Sequence, residues 1–475
     1  MTGENAQFDL GLVGLGVMGR NFILNLADHG YRVAGHDKDP AQTAALEREG
    51  SEDRVRSFTS VKEFVSVLRK PRAVMMLVPA GKPVDSVIAD LLPELEPGDI
   101  IIDGGNSHFT DTNKRVTELG KNGIHLLGVG VSGGAEGARR GPSIMPGGDR
   151  RAYARVQEMF EKASAHVNGE PCVTYLGTGS AGHYVKMIHN GIEYGLMQLI
   201  AESYDLLKRG GGLDDDELHE IYREWNDGAL NSYLVEITAH IFSQSDPKSS
   251  ERLIDRILDE ARQKGTGKWT SQDAMDIQVP VMTIDAAVAQ RAMSALKDER
   301  IMAEQLLHGP ERAIEGQAPS FVRRVHDAVH FAFIVTFAQG MSQLSAASRE
   351  YSYDLNLADI AKIWRGGCII RAAMLEEIRN AWTRSKGLLN MLLDRTFAEE
   401  LDRTQAAARE VAALAVTHGI PAAALLGAVS YYDSYRSGWL PANLVQAQRD
   451  YFGSHTYERV DEKGSFHTQW QKLNK

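Results

Sequence analysis

Five side chains able to do chemistry share one stripe of the stretch 180–209. Lys186, His189, Asn190, Glu193 and Tyr194 fall at i, i+3, i+4, i+7 and i+8. At helical periodicity that spacing lines up an ammonium, an imidazole, an amide, a carboxylate and a phenol on one face. Met187, Ile188, Ile192, Leu196, Leu199 and Ile200 fill in around them. A solvated helix face is usually a mixture of Glu, Lys, Gln and Arg, and His-Asn-Gly-Ile-Glu-Tyr does not read as one. Lys186 and Glu193 stand roughly 10 Å apart along a helix axis. That is too far for an i,i+4 ion pair, but it suits two groups that reach one small molecule from its two ends.

Such a stripe needs a frame, and 475 residues allow two or three domains. A formal charge of −11 argues against general nucleic-acid or anionic-membrane binding. An anionic small molecule would need locally placed Lys and Arg. Cys172 and Cys368 are too few and too far apart for a disulfide framework or a cysteine metal site, so a reducing compartment and a cytoplasmic location are expected. The run FAFIVTFA (331–338) is much too short to span a bilayer.

Residues 1–179 read as alternating strand and helix, which predicts an α/β Rossmann-type, doubly wound sheet with helices on both faces. Strands are expected at the start of FDLGLVG, in RVAGHD, and at 73–78, 99–105, 125–131 and 172–177. The motif Gly14-x-Gly16-x-x-Gly19 sits at the first strand-to-helix turn, and an acidic residue follows one βαβ unit later, which makes it a dinucleotide fingerprint. Gly14 allows the tight turn, Gly16 the approach of a pyrophosphate, and Gly19 close helix–strand packing. Asp37, ending the second strand, stands where an acid holds the adenosine ribose hydroxyls of NAD, whereas the adjacent Lys38 would pair with the 2′-phosphate of NADP. Asp39, ahead of Pro40, also has the pattern of a helix cap. Asn106 in DGGNS (103–107) is expected to touch nicotinamide or substrate. Within the glycine-rich loop 130–148, the N–H groups of Ser132, Gly133 and Gly134 could hold a carboxylate.

From 180 to 440 helical periodicity dominates. LHEIYREWNDG (218–228) and LADIAKIWRGG (357–367) share the pattern LxxIxxxWxxG, and each follows a long apolar helix, so a duplicated helical unit is expected. The helix near 328–344 should be its buried centre. Between the two units, Lys264, Thr266 and Lys268 in QKGTGKW lack the spacing of a Walker loop. Arg291 in an apolar stretch is either snorkelling or paired with an anion. The tail 441–475 is polar and aromatic with little core of its own, and a second subunit is its expected support.

Taken together, GLGVMG (14–19), GVSGGAEGARRGPSIMPGG (130–148), KMIHNGIEYG (186–195), QKGTGKW (263–269) and AQRDYFGSHTYER (447–459) resemble the decarboxylating 6-phosphogluconate dehydrogenases from the first strand to the tail. The resemblance implies a Rossmann domain, a large helical domain with an internal repeat, oxidative decarboxylation of a phosphorylated sugar acid, NADP as cofactor, and no metal. Carried over residue by residue, Lys186 becomes the general base and Glu193 the general acid. Asn106, Ser132, Gly133, Gly134, His189 and Asn190 contact substrate, while Tyr194, Lys264, Thr266 and Arg291 surround its phosphate. Gly14, Leu15, Gly16, Val17, Met18, Gly19, Val78, Pro79, Ala80 and Asn106 contact cofactor, as do Asp37, Lys38 and Asp39. Arg449 and His455 are supplied to the partner's site in a homodimer.

Two departures stand out. Asp37-Lys38-Asp39 replaces the family's Asn-Arg-Thr-like segment, which points toward relaxed or NAD-leaning specificity with Lys38 keeping NADP open, and Pro79 replaces a lysine often found there. For Lys186 to act as a base its pKa must fall, with burial, His189 and the phosphate-binding cations as the expected causes. The competing readings are a non-decarboxylating β-hydroxyacid dehydrogenase acting on a small unphosphorylated acid, and a silent dinucleotide-binding sensor.

Overall fold

Four-residue runs such as LGLV, AVMM and IIID are too uniformly apolar for a sheet with one wet face, and they form the middle of one covered on both. The computed structural model describes residues 7–51, 53–263, 265–314, 318–385 and 387–470. The chain forms two compact units, Met1–Val429 and Ser430–Lys475.

The first unit opens with β1 (Leu10–Val13), β2 (Val33–His36), β3 (Val55–Phe58), β4 (Ala73–Met76), β5 (Ile100–Asp103), β6 (His125–Ser132) and β7 (Ser143–Gly148). Their order is β3-β2-β1-β4-β5-β6-β7. β1 to β6 are parallel, in the Rossmann order, and β7 runs antiparallel to β6. The switch point between β1 and β4 opens a crevice at the strands' carboxyl ends, where ligands of such sheets bind.

The glycine-rich stretch 130–148, expected as a loop, instead contains the end of β6, the helix Gly134–Arg140 and β7. The strand expected at 172–177 does not form, and Val173 makes only a bridge to Ile144. Proline explains the arrest. Ile144 donates its N–H to the Cys172 carbonyl, but Pro146, the next residue facing that side, has no N–H to continue the ladder.

The helix Ala181–Asp205 lies against β6 and β7 with glycine on both sides of the contact. A Cβ on Gly182 would collide with the carbonyl oxygens of Gly128 and Met145, and one on Gly130 with the Lys186 side chain. Backbone therefore rests on backbone, and this contact sets where Lys186 stands. The long helix Ala318–Glu350 is buried along 328–341 and packs beside it, the centre the apolar pattern predicted. The two LxxIxxxWxxG segments form the helices Asp215–Asn226 and Leu357–Trp364, each followed by another helix, Tyr233–Ser243 and Met374–Arg384. The two copies meet in a bridge between Ser232 and Ala372.

Among the described residues no helix is long and apolar enough to cross a membrane.

Candidate active site

The turn from β1 into the helix Val17–Asp28 has the form its glycines predict. Gly14 sits at φ +96°, where a side chain would be strained, and a Cβ on Gly19 would strike the Gly14 carbonyl oxygen. Gly16 faces open space, and no side chain caps the helix start, so its first N–H groups are left for a ligand. Helix dipole and N–H groups together suit a pyrophosphate, and the residues present fit a dinucleotide. Beside the turn lies a cavity of about 240 Å³ lined by Gly14, Asp37, Lys38, Val78 and Asp90 among others. Asp37 takes the Leu15 N–H on Oδ2 at 2.8 Å and the Asp39 N–H on Oδ1 at 2.9 Å. Lys38 pairs with Asp90 at 2.7 Å. Asp39 caps the helix Pro40–Glu49 by accepting the Ala41 N–H, so the capping pattern is realised. Val17, Pro79 and Ala80 are exposed, while Leu15 is buried and Met18 half-buried.

Asn106 is exposed on the loop that follows β5, and sequence reasoning missed what holds that loop. Asp103, fully buried at the end of β5, accepts the Gly105 N–H at 3.0 Å and the Ser107 hydroxyl at 2.6 Å. Arg115 approaches the same carboxylate at 3.7 Å. His183, one turn before Lys186, bonds through Nε2 to the Asp103 carbonyl oxygen and through Nδ1 to the Thr112 hydroxyl. The central helix and the loop that follows β5 are thereby tied together. An acidic residue at a strand end beside two glycines was the available signal.

The stripe is inward-facing. Lys186, His189, Asn190 and Tyr194 are all buried, and Glu193 is partly open. Lys186 Nζ donates to Asn190 Oδ1 at 2.9 Å, and His189 Nδ1 lies 3.0 Å from the same oxygen. With its proton on Nδ1, His189 leaves Nε2 to accept the Ser132 hydroxyl at 3.2 Å. Asn190 Nδ2 donates to Thr266 Oγ1 at 2.9 Å. Glu193 stands 3.7 Å from His189. Beneath His189 the Trp364 ring makes an edge contact, so that tryptophan of the repeat serves as core.

Burial pushes the Lys186 ammonium below its ordinary pKa, against the pull of Glu193. Burial also holds His189 well below its usual range, with the Lys186 charge adding to the effect. The imidazole is therefore neutral, which corrects its expected role: its charge does not lower the lysine, and desolvation does. Glu193 moves the other way, its carboxyl raised by burial despite Lys186 and Arg291. A lysine eased toward the neutral amine and a carboxyl eased toward the acid suit general base and general acid.

Around this cluster, Gly133 and Gly134 both have positive φ, at +108° and +63°. Arg291 stacks on Tyr194, its guanidinium carbon 3.4 Å from the ring centroid. It is thus a cation lying on an aromatic face rather than a snorkelling chain. Thr266 begins the helix Thr266–Asp276. Lys264 lies outside the described residues. Asp273 on that helix, also missed, is a buried acceptor for the hydroxyls of Tyr184 and Tyr351. Among the described residues no group of three or more His, Cys, Asp or Glu is placed to hold a metal ion.

Arg449 and His455 belong to the second unit. Both are exposed, Arg449 on the helix Ala442–Gly453 bonding Gln446, and His455 edge-on to Phe452. Asp450 organises their surroundings. Fully buried, it accepts the N–H groups of Thr456 and Thr468, the Trp470 indole N–H and a His467 ring N–H.

Family models match this arrangement along nearly its whole length. The model for the NAD binding domain of 6-phosphogluconate dehydrogenase matches residues 9–177, and that for the 6-phosphogluconate dehydrogenase C-terminal domain matches residues 182–470. The chain belongs to the 6-phosphogluconate dehydrogenase family. It is 50% identical over 464 residues to an NADP(+)-dependent, decarboxylating 6-phosphogluconate dehydrogenase of Bacillus subtilis, covering 98% of this chain and 99% of that one. It is 50% identical over 462 residues to the decarboxylating 6-phosphogluconate dehydrogenase of Escherichia coli K12, covering 97% and 98%. A solved Plasmodium falciparum 6-phosphogluconate dehydrogenase, studied in its apo form and with NADP+ or 6-phosphogluconate, superposes with a TM-score of 0.93 at 42% identity. That likeness covers 97% of this chain and 100% of the other.

Proposed function

We propose that this chain oxidises and decarboxylates 6-phosphogluconate to ribulose 5-phosphate and carbon dioxide, reducing a nicotinamide dinucleotide. The observation that carries the reading is the buried Lys186, whose pKa is lowered and whose amine touches no carboxylate, on a helix seated against a dinucleotide-binding sheet. When bound, the nicotinamide accepts the hydride from substrate C3. Neutral Lys186 takes the C3 hydroxyl proton as that bond is oxidised, giving a β-keto acid. The bond from C2 to the carboxylate then breaks, carbon dioxide leaves, and the electron pair passes into the C3 carbonyl. The Lys186 ammonium, now carrying the proton, stabilises the developing oxyanion and returns the proton to it. Glu193, its carboxyl raised by burial, donates a proton to the carbon that lost the carboxylate while Lys186 takes back the enol proton, leaving the ketone.

Asn190 holds the lysine, and neutral His189 offers a donor set rather than a charge. Ser132, Gly133, Gly134 and Asn106 are assigned to the substrate's sugar-acid end. Tyr194, Thr266, Arg291 and Lys264 are assigned to its phosphate. The tail 441–475 is assigned to a partner subunit in a homodimer, with Arg449 and His455 completing that subunit's site. Residues 1–179 form the dinucleotide-binding domain and 180–440 the substrate domain in this reading, and the enzyme is placed in the cytoplasm. Two free, buried cysteines suit a reducing compartment.

The test is turnover of 6-phosphogluconate with reduced cofactor and carbon dioxide followed together. Equal yields are expected. Reduced cofactor without carbon dioxide would favour the non-decarboxylating β-hydroxyacid dehydrogenase.

A further inference from the structure

The ribose end of the cofactor cleft has an unusual charge balance. Asp37 is fixed from both sides by backbone, Oδ2 by the Leu15 N–H and Oδ1 by the Asp39 N–H, so its carboxylate cannot swing away from the cavity. Each oxygen retains a lone pair, which suits the two hydroxyls of an unmodified ribose. Lys38 is the one cation among the residues lining the cavity, and its ammonium lies 2.7 Å from Asp90 on the helix Lys82–Leu91. The cavity's remaining titratable residue, His36, is held toward its neutral form by burial and bonds the Phe58 carbonyl. The lining thus sets two carboxylates against one ammonium, and one of those carboxylates already occupies the ammonium.

A 2′-phosphate brings nearly two negative charges. To bind here it must approach Asp37 and draw Lys38 from Asp90, leaving Asp90 unpaired beside it. A 2′-hydroxyl meets neither cost.

We propose that Asp90 is a determinant of cofactor choice: by holding Lys38 opposite Asp37 it selects against the 2′-phosphate, so that this chain prefers NAD to NADP. The proposal rests on reading the cleft as a dinucleotide site. It adds to that reading a residue 52 positions from Lys38 in the chain, on the helix Lys82–Leu91.

The test compares ADP with 2′,5′-ADP by calorimetry, and kcat/KM for NAD with that for NADP, on the full-length chain. The wild type is expected to favour ADP and NAD by roughly tenfold or more, the scale of one unbalanced charge near a protein surface. Asp90→Asn should move both ratios toward the 2′-phosphorylated form by about five- to tenfold, and Lys38→Ala should move them the other way. In the Lys38→Ala background the effect of Asp90→Asn should shrink, because there is no longer an ammonium to release. The wild-type ratio should also compress as salt is raised. Tighter binding of 2′,5′-ADP by the wild type, or ratios unmoved by Asp90→Asn, would overturn the preference while leaving the cleft intact. Binding of neither nucleotide would overturn the cleft itself.

Discussion

Two lysines, one on the central helix and one lining the cavity beside the glycine turn, are placed in opposite ways. Lys186 is buried and bonded to an amide, with Glu193 one further turn along the same helix. Lys38 has a side chain 70% exposed and sits directly on a carboxylate. Water removal that outweighs the pull of Glu193 weakens the first ammonium's hold on its proton, which is what a base requires. The second, exposed, is already paired with a counter-charge, which suits discrimination between ligands that differ by a phosphate. Proton transfer is built where charge is costly, and selectivity where charge is cheap and merely redistributed.

Breaking the buried side of this comparison should have the largest effect. Lys186→Met is expected to lower kcat by about 10³-fold or more, the upper range for a positioned general base, while ADP still binds at the distant ribose end. Single-turnover kinetics with a parallel ADP titration checks both halves. Glu193→Gln should cost about 10²-fold in kcat. It should also move the residual pH profile. Glu193 now raises the Lys186 pKa, so its neutralisation lets that pKa fall further and shifts the limb belonging to the lysine toward acid. A limb that stays in place would show that the two groups do not sense each other. Asp103→Asn should be smaller again, about tenfold in kcat/KM with a stability cost of about 1–3 kcal/mol, since it strips the loop bonds that hold Asn106 in position. Denaturant unfolding and kinetics on one preparation separate the two effects. Any change in the ADP to 2′,5′-ADP ratio would contradict the separation of the two ends.

What the sequence made legible follows from the range of the interactions. The stripe is read from spacing alone because helix periodicity is local, and the glycine turn because backbone sterics demand glycine at Gly14 and Gly19. The buried centre near 328–344 was equally plain, being apolar on nearly every side. The antiparallel β7 was hidden in a glycine-rich stretch, and the arrest of its neighbour depends on which edge Pro146 faces. The charge state of His189 could not be seen, because it depends on burial by elements far along the chain. Asp90, Asp103, His183 and Asp273 were missed for a related reason: each acts through a partner that only the fold brings near. Such residues look like ordinary surface or core positions until both partners are in view.

The seating of the central helix on glycines has a consequence for anyone redesigning this enzyme. A helix that rests backbone on backbone can neither slide nor roll without driving a Cβ into a carbonyl oxygen. Lys186, the proposed base, thus inherits the place of its backbone from the sheet. On the proposed reading, substitutions meant to admit another sugar acid belong around Tyr194, Thr266 and Arg291, where the groups are side chains that can be exchanged. Changes at Gly130 or Gly182 would displace the chemistry itself, whatever substrate was intended.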